Sequence, residues 1–246
     1  MIKIGIAGAC GKMGKRIADL AFQDADVEIS AAFEHPDNPD VGGDIGTIAG
    51  SKAVGVAVSS DADKACADSE CIIDFTLPEP TLEHLKACVA SETPMVIGTT
   101  GIDAEGEKVI AEASEKIPVV FSPNMAPGVN LVFKMVAEAA RTLGSDFTIK
   151  VDETHHVHKK DSPSGTAKMI GKVIKDSCGS EPTIEAFREG EVIGNHGIVF
   201  DGEFENIEIR HDAKTRDVFA AGAIKAAKFA AKQKPGLYSM ADVLGL

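Results

Sequence analysis

The sequence contains no tryptophan and a single tyrosine, Tyr238, which leaves little aromatic surface for stacking on nucleic-acid bases. Positive charge is also scarce: 25 Lys and Arg face 38 Asp and Glu, for a formal net charge of −13. A chain this acidic lacks the basic face that nucleic acid or an anionic membrane requires, so neither is expected as a partner. A local lysine cluster can still oppose the global field, which leaves anionic small molecules open as ligands. No apolar run approaches the length of a membrane span, and "MIKIGIAG" lacks the stretch of a secretory leader. The five cysteines (Cys10, Cys66, Cys71, Cys88 and Cys178) are odd in number and form no C-x-x-C pair. That argues against a disulfide framework and against a structural zinc knuckle. A reducing cytoplasm is the expected location.

What is present reads as one large or two modest domains, since 246 residues with 44% hydrophobic content suffice for a substantial core. In "IKIGIAG" the β-branched Ile2, Ile4 and Ile6 form a strand that ends at a glycine-rich turn, "GACGKMG", with glycines at 8, 11 and 14. Met13, Ile17, Leu20 and Ala21 then share one face of a helix. A second strand, "VEISAAF", ends at Glu34, about twenty residues past the last glycine, where a dinucleotide fold places its ribose-binding acid. Gly8 permits the tight turn, Gly11 lets the backbone approach a pyrophosphate, and Gly14 lets helix and strand pack closely. The amides at the helix start complete a phosphate cradle. A glycine triplet alone marks only a tight turn, but strand, turn, helix and acid together read as dinucleotide binding.

Strand and helix go on alternating. "CIIDFT" runs into a helix carrying Leu82, Leu85 and Val89, and "PMVIGTTG" precedes another from about Asp103 to Lys116. "PVVFSPNMAPG" leads into a long helix whose apolar face includes Val132, Met135 and Val136. This alternation predicts an α/β, doubly wound, mostly parallel sheet, with ligands beyond the carboxyl ends of its strands. Phe75-Thr76, Gly98-Thr99-Thr100 and Ser122-Pro123-Asn124-Met125 lie at three such ends and are expected to touch the cofactor. After Gly144 the pattern changes to strands with few helices, a separate α+β domain. "DFTIKVDETHH" alternates as a strand, and "HGIVFDGEFENIEIRHD" reads as two strands joined at Asp201-Gly202. A helix from about Ser164 to Asp176 lies between them. The last helix, roughly Asp217 to Gln233, is expected to return to the nucleotide domain. The expected division is therefore 1–126 plus 217–246 for the dinucleotide-binding domain and 127–216 for substrate binding and oligomerisation.

The densest chemistry is "VDETHHVHKKDSPSGTAKMIG", residues 151–171. His155 and His156 close a strand, so their side chains point to opposite faces and do not share a metal; no metal site is expected. A lone Lys-Lys pair such as Lys159 and Lys160 is ordinarily solvated surface. Here Ser164-Gly165-Thr166 follows at a helix start, where amide groups and the dipole favour a carboxylate. Histidine delivers protons near neutral pH, and lysine holds or protonates an anionic or nitrogenous group. The combination suits hydride reduction of a carboxylated C=N or C=C, in which developing negative charge takes up a proton.

The chain resembles the 4-hydroxy-tetrahydrodipicolinate reductase (dihydrodipicolinate reductase) family of the diaminopimelate–lysine pathway. "GACGKMG" is similar to its nucleotide turn, and "ETHHVHKKDSPSGTA" to its long central signature. "REGEVIGNHGIVF", "RDVFAAGAIKAAKF" and "GLYSMADVLGL" resemble later family blocks, so the likeness runs over nearly the whole chain. It implies an NAD(P)H-dependent reduction, with a Rossmann-type N-terminal domain paired with a substrate and tetramerisation domain, and hence a homotetramer acting on a small dicarboxylate. It implies His155 as catalytic acid/base, Lys159 as proton donor, His156 as substrate ligand, and Gly165 and Thr166 at a substrate carboxylate. Cofactor contacts would fall on Gly8, Ala9, Cys10, Gly11, Lys12 and Met13, on Glu34 and His35, on Gly98, Thr99 and Thr100, and on Ser122, Pro123, Asn124 and Met125.

One departure bears on the cofactor. Many members carry arginine after the ribose-binding acid, where it grips the 2′-phosphate of NADP; "FEHP" offers His35, a weaker cation than a guanidinium. Lys12 is the other cation in reach. NADH or dual use is therefore expected over exclusive NADPH use. Two rival readings stand beside the reductase: another NAD-linked enzyme on a similar two-domain scaffold, such as an amino-acid dehydrogenase, and a non-enzymatic NAD(H) sensor.

Overall fold

A computed structural model describes all residues from Met1 to Leu246. The chain divides into two compact units, Met1–Met125 with Phe219–Gly245, and Ala126–Val218 with Leu246. In the first unit β1 (Ile2–Ala7) leads into α1 (Lys12–Phe22) and β2 (Val27–Phe33). Three short elements follow, α2 (Ile45–Ile48), β3 (Val58–Ser59) and α3 (Ala62–Ala67). Then come β4 (Cys71–Asp74), α4 (Pro78–Ala90), β5 (Met95–Ile97), α5 (Ala104–Ser114) and β6 (Pro118–Phe121).

The second unit carries α6 (Pro127–Leu143), β7 (Thr148–His155), α7 (Gly165–Cys178), β8 (Thr183–Arg188), β9 (Asn195–Asp201) and β10 (Asn206–Asp212). The chain re-enters the first unit through α8 (Asp217–Ala230), β11 (Gly236–Tyr238) and α9 (Met240–Leu244).

The first unit is built on a seven-stranded sheet in the order β11-β6-β5-β4-β1-β2-β3, every pairing parallel. Strands of such a sheet are covered on both faces, which is why "CIID", "MVI" and "PVV" are uninterrupted apolar runs apart from the closing Asp74. On one face Ile4, Ile6, Ile73, Val96 and Val120 pack with Ile17 and Ala21 of α1 and Ala220, Ala223 and Ala227 of α8. On the other, Ile72, Met95, Ile97 and Val119 pack with Leu85 and Cys88 of α4 and Ile110 of α5. Strand order reverses between β1 and β4, the switch point beyond which such sheets bind ligands.

The second unit has a mixed sheet in the order β10-β9-β7-β8, in which β7 and β8 are parallel and joined by the α7 crossover. Its inner face presents Ile149, Val151, Ile198, Phe200 and Ile209 to Val132 and Val136 of α6 and Ile170 and Ile174 of α7. Period-two alternation then turns Lys150, Asp152, Glu185, Phe187, Glu208 and Arg210 to the opposite face.

Four details differ from the sequence reading. β9 and β10 are joined by the four residues Gly202–Glu205, closed by the Gly202 amide donating to the Glu205 carbonyl (3.0 Å), not by a two-residue turn. Met135 lies on the exposed side of α6, because the buried stripe runs through Val129, Val132, Val136 and Ala140. α8 stops at Ala230, and the next residues form tighter bonds of the Gln233-to-Ala230 type (3.0 Å) ahead of Pro235. β8 and the stretch from α2 to α3 were not foreseen as elements. The latter is held largely by Asp44, whose carboxylate accepts from the amides of Gly46, Thr47, Val54 and Gly55. No helix is long and apolar enough to cross a membrane.

Candidate active site

The glycine turn occupies the carboxyl end of β1. Gly8 has φ +64°, a conformation open to glycine at no steric cost. A β-carbon at Gly14 would meet the Gly8 carbonyl oxygen at 2.3 Å and Ala9 Cα at 2.7 Å, so only glycine lets α1 approach the turn. α1 starts at Gly11 with no side-chain cap, which leaves its first amides for an anion. These features fit a dinucleotide pyrophosphate. Ala9 is buried, Met13 packs against the core, and Lys12 is exposed on the first turn.

Glu34 reaches back to the turn, its carboxylate accepting from the Cys10 amide (3.1 Å) and the His35 amide (3.0 Å). His35 is exposed and lies 3.7 Å from the Asp37 carboxylate. Burial, followed by the charges of Glu34 and Asp40, pushes the Cys10 thiol up to about 11. Glu34 and Asp40 thus set negative charge beside this end of the turn, with Lys15 3.9 Å from Asp40 opposing it.

At the ends of β4 and β5 a fully buried carboxylate, Asp74, organises the loops. Its Oδ1 accepts from the Thr76 amide (2.9 Å) and from the hydroxyls of Thr76 (2.7 Å), Thr81 (2.9 Å) and Thr99 (3.0 Å). Its Oδ2 pairs with His84 Nδ1 at 2.6 Å. Burial opposes ionisation, but the bonds from His84, Thr76 and Thr81 prevail and hold this carboxyl below the usual range. The Thr76 methyl abuts Gly8, and the Phe75 ring covers Gly98 so closely that a β-carbon there would lie 2.3 Å from it. At the end of β6 the Ser122 hydroxyl donates to the Asn124 carbonyl (3.0 Å), Pro123 is exposed and Met125 buried. The residues expected at the cofactor therefore lie at the carboxyl ends of five neighbouring strands, Thr100 at the exposed tip of the β5 loop.

The second cluster lies wholly in the second unit. Glu153 and His155 follow Ile149 and Val151 on the inner face of β7, and Glu153 is fully buried. Glu153 Oε2 pairs with His155 Nδ1; Oε1 accepts from the Ser164 amide (3.0 Å) and from Arg188 Nη1 (3.1 Å). Burial opposes its ionisation, and the bonds from His155, Ser164 and Arg188 outweigh it, so the carboxyl stays below the usual range. Burial pulls His155 below the ordinary histidine value, and the bond and charge of Glu153 offset this only in part. Nδ1 of this ring is set toward the Glu153 carboxylate, which leaves Nε2 as the nitrogen that Glu153 does not engage.

Lys159 lies on the loop after β7, its ammonium 2.9 Å from the Asp161 carboxylate. The loop backbone is gripped by Arg188, which donates to the carbonyls of Lys159 (3.4 Å) and Asp161 (2.5 Å). Ser164 caps α7 by accepting from the Ala167 amide (3.1 Å), which puts Gly165 and Thr166 in the first turn. A β-carbon at Gly165 would meet nothing within 4 Å, so no packing demands glycine there. His196 of β9 lies beside both groups, its ring centroid 5.3 Å from that of His155 and its Nε2 3.4 Å from the Ser164 hydroxyl. Burial and then the charges of His155 and His211 push His196 down to about 4. His156 follows on the loop, its Nε2 3.5 Å from Arg216.

The structure thus groups His155, Lys159, Gly165 and Thr166, adds Glu153, Arg188 and His196, which the sequence reading left without roles, and sets His156 beside Arg216. Glu153 had a signal: it is an acid in register with Ile149 and Val151 on the buried face of an alternating strand. Arg188 had none, because its place depends on pairing with His155 across β7 and β8.

Comparison with known proteins agrees with the geometry. The family description "Dihydrodipicolinate reductase, N-terminus" matches residues 2–125, and "Dihydrodipicolinate reductase, C-terminus" matches residues 128–244. The 4-hydroxy-tetrahydrodipicolinate reductase of Anaeromyxobacter dehalogenans is 41% identical over 266 aligned positions, covering 100% of this chain and 98% of the relative. The dipicolinate-bound dihydrodipicolinate reductase of Paenisporosarcina sp. TG-14 superposes with a TM-score of 0.83 at 24% identity, over 97% of each chain. An amine dehydrogenase from Mycobacterium smegmatis superposes with a TM-score of 0.62 at 12% identity, over 97% of this chain and 95% of its own, a likeness of fold alone. Two family matches spanning almost every residue, with full-length identity on this scale, place the chain in the 4-hydroxy-tetrahydrodipicolinate reductase family.

Proposed function

We propose that the chain reduces 4-hydroxy-tetrahydrodipicolinate to tetrahydrodipicolinate, using residues 1–126 and 217–246 for the nicotinamide cofactor and 127–216 for the substrate. The bound cofactor supplies hydride; a proton is also taken up, and the substrate hydroxyl departs as water. Lys159 is the proton donor in this reading, its ammonium held on the loop after β7 by the Asp161 carboxylate (2.9 Å). His155, oriented by Glu153, is the acid/base, with Nε2 as the nitrogen that exchanges the proton. The start of α7 at Gly165 and Thr166 holds one carboxylate, and His156 with the neighbouring Arg216 meets the other. The observation that carries this reading is the carboxylate-anchored His155 beside a lysine and an unobstructed helix start.

Gly8 to Met13, Gly98 to Thr100 and Ser122 to Met125 form the cofactor contacts, with Glu34 at the ribose. A 2′-phosphate would face Glu34, Asp37 and Asp40 with His35 in place of arginine, so NADH is favoured, with dual use the alternative. The cytoplasm is the proposed location, in keeping with five unpaired cysteines. A homotetramer is proposed, supported by the sheet face of the second unit opposite α6 and α7, which carries exposed Phe187.

The test is a coupled assay with the synthase that makes the substrate, comparing NADH with NADPH. Lys159→Ala and His155→Ala are each expected to lower kcat on the order of a hundredfold or more with cofactor affinity unchanged. Near-wild-type turnover in both variants removes the site from the chemistry.

A further inference from the structure

We infer that Glu153 and Arg188 form a positioning pair: Glu153 holds His155 in the Nδ1–H tautomer, and Arg188 holds the backbone that carries Lys159. This deepens the proposed function and rests on its reading of His155 and Lys159. Glu153 is fully buried, yet every bond it makes goes to a different part of the site. One oxygen takes the His155 ring; the other takes the Ser164 amide at the cap of α7 (3.0 Å) and Arg188 (3.1 Å). Arg188 in turn donates to the carbonyls of Lys159 (3.4 Å), Asp161 (2.5 Å) and Phe187 (2.6 Å). The acid/base, the carboxylate cradle and the proton-donor loop are therefore tied to one anion. A buried ion pair gives little stability beyond that of apolar residues of equal volume, so orientation is the better account of this one.

A staple joining β7 to β8 would use the same bonds, and pH dependence separates the two roles. The charged and titratable groups facing His155 are Glu153 on its own strand, Lys159 and Asp161 on the loop, Arg188 on β8 and His196 on β9. Of these, Glu153 most favours the protonated imidazole. Removing its charge lowers the affinity of His155 for a proton, so the low-pH limb of kcat moves to lower pH. A staple that only joined β7 to β8, with its carboxylate off the His155 ring, would leave that limb unmoved.

The experiment uses the full-length enzyme. Nitrogen-15 spectra of the wild type labelled at histidine should show the Nδ1–H tautomer for His155. Glu153→Gln should lower kcat on the order of a hundredfold and shift the low-pH limb downward. Arg188→Met should lower kcat by roughly tenfold to a hundredfold through misplacement of Lys159, with NADH affinity unchanged. An Nε2–H tautomer in the wild type overturns the proposal, and so does a folded Glu153→Gln enzyme with an unmoved limb. If Glu153→Gln does not fold, the wild-type spectrum decides. His155→Ala in parallel keeps the readings apart: an active His155→Ala enzyme sinks the proposed site, whereas an inactive one with the wrong tautomer sinks only the positioning pair.

Discussion

Gly194 stands against the imidazole of His155. A β-carbon at this position would lie 2.9 Å from Nε2, the nitrogen to which the proton chemistry is assigned, and 3.3 Å from Cδ2. The ring cannot retreat freely, because Glu153 holds its other nitrogen. Gly194→Ala should therefore tilt the imidazole and lower kcat roughly tenfold or more, since small misplacements of a reacting group are expensive. NADH affinity should not change; unaltered turnover would show that Nε2 does not need its present position. At the cofactor turn the equivalent single-residue question is His35. A guanidinium there could bind a 2′-phosphate in two-pronged fashion, which an imidazole cannot. His35→Arg should shift preference toward NADPH, read from titrations of both cofactors at pH 8. A wild type that already prefers NADPH strongly at that pH transfers the phosphate to another cation, Lys12 first.

At the scale of elements, the start of α7 separates binding from packing. A side chain at Gly165 meets no protein atom within 4 Å, so Gly165→Val should leave thermal stability nearly unchanged. It should raise the substrate KM by tenfold or more if a carboxylate lies on those amides. An unaffected KM contradicts the cradle. The end of β4 behaves differently. Asp74→Asn puts an amide N–H among donors that all need an acceptor, so it should cost about 2–4 kcal/mol of stability and loosen NADH binding. Strands β1, β4, β5 and β6 were legible because they are apolar runs closed by glycine, proline or a polar turn. β8 was not: its inward positions Ile184, Ala186 and Arg188 include a single large aliphatic residue. The segment around Asp44 was illegible for a related reason, being held by side-chain capping rather than by periodicity. His155, Lys159 and the Ser-Gly-Thr turn could be read because they are contiguous. Glu153, Arg188 and Arg216 meet their histidine partners through strand pairing and chain return, which spacing does not encode.

At the scale of the whole molecule, the buried histidines set how stability responds to acid. His196 is held down at about 4 in the folded protein, against about 6.5 for an unperturbed histidine. The unfolded chain therefore takes up this proton first, and stability falls as pH drops from about 6.5 toward 4. The shift corresponds to about 3 kcal/mol for His196. His155 and His211 are depressed by burial as well and act in the same direction. Glu153 and Asp74, whose folded values are also lowered, contribute stability that is present above the ordinary carboxylate value of about 4 and lost as pH falls through the lowered ones. They act only after the histidines have begun to charge. Acid also reduces the net charge of −13, which relieves repulsion and opposes the loss, but that contribution is screened at about 0.15 M salt. Urea unfolding in that salt should show a lower midpoint at pH 5 than at pH 7.5. His196→Gln should flatten the difference, because it removes the largest resolved histidine shift. A wild-type midpoint that does not change between pH 7.5 and pH 5 would mean that His196 keeps an ordinary affinity for protons, and that the row of histidines behind β7 is hydrated.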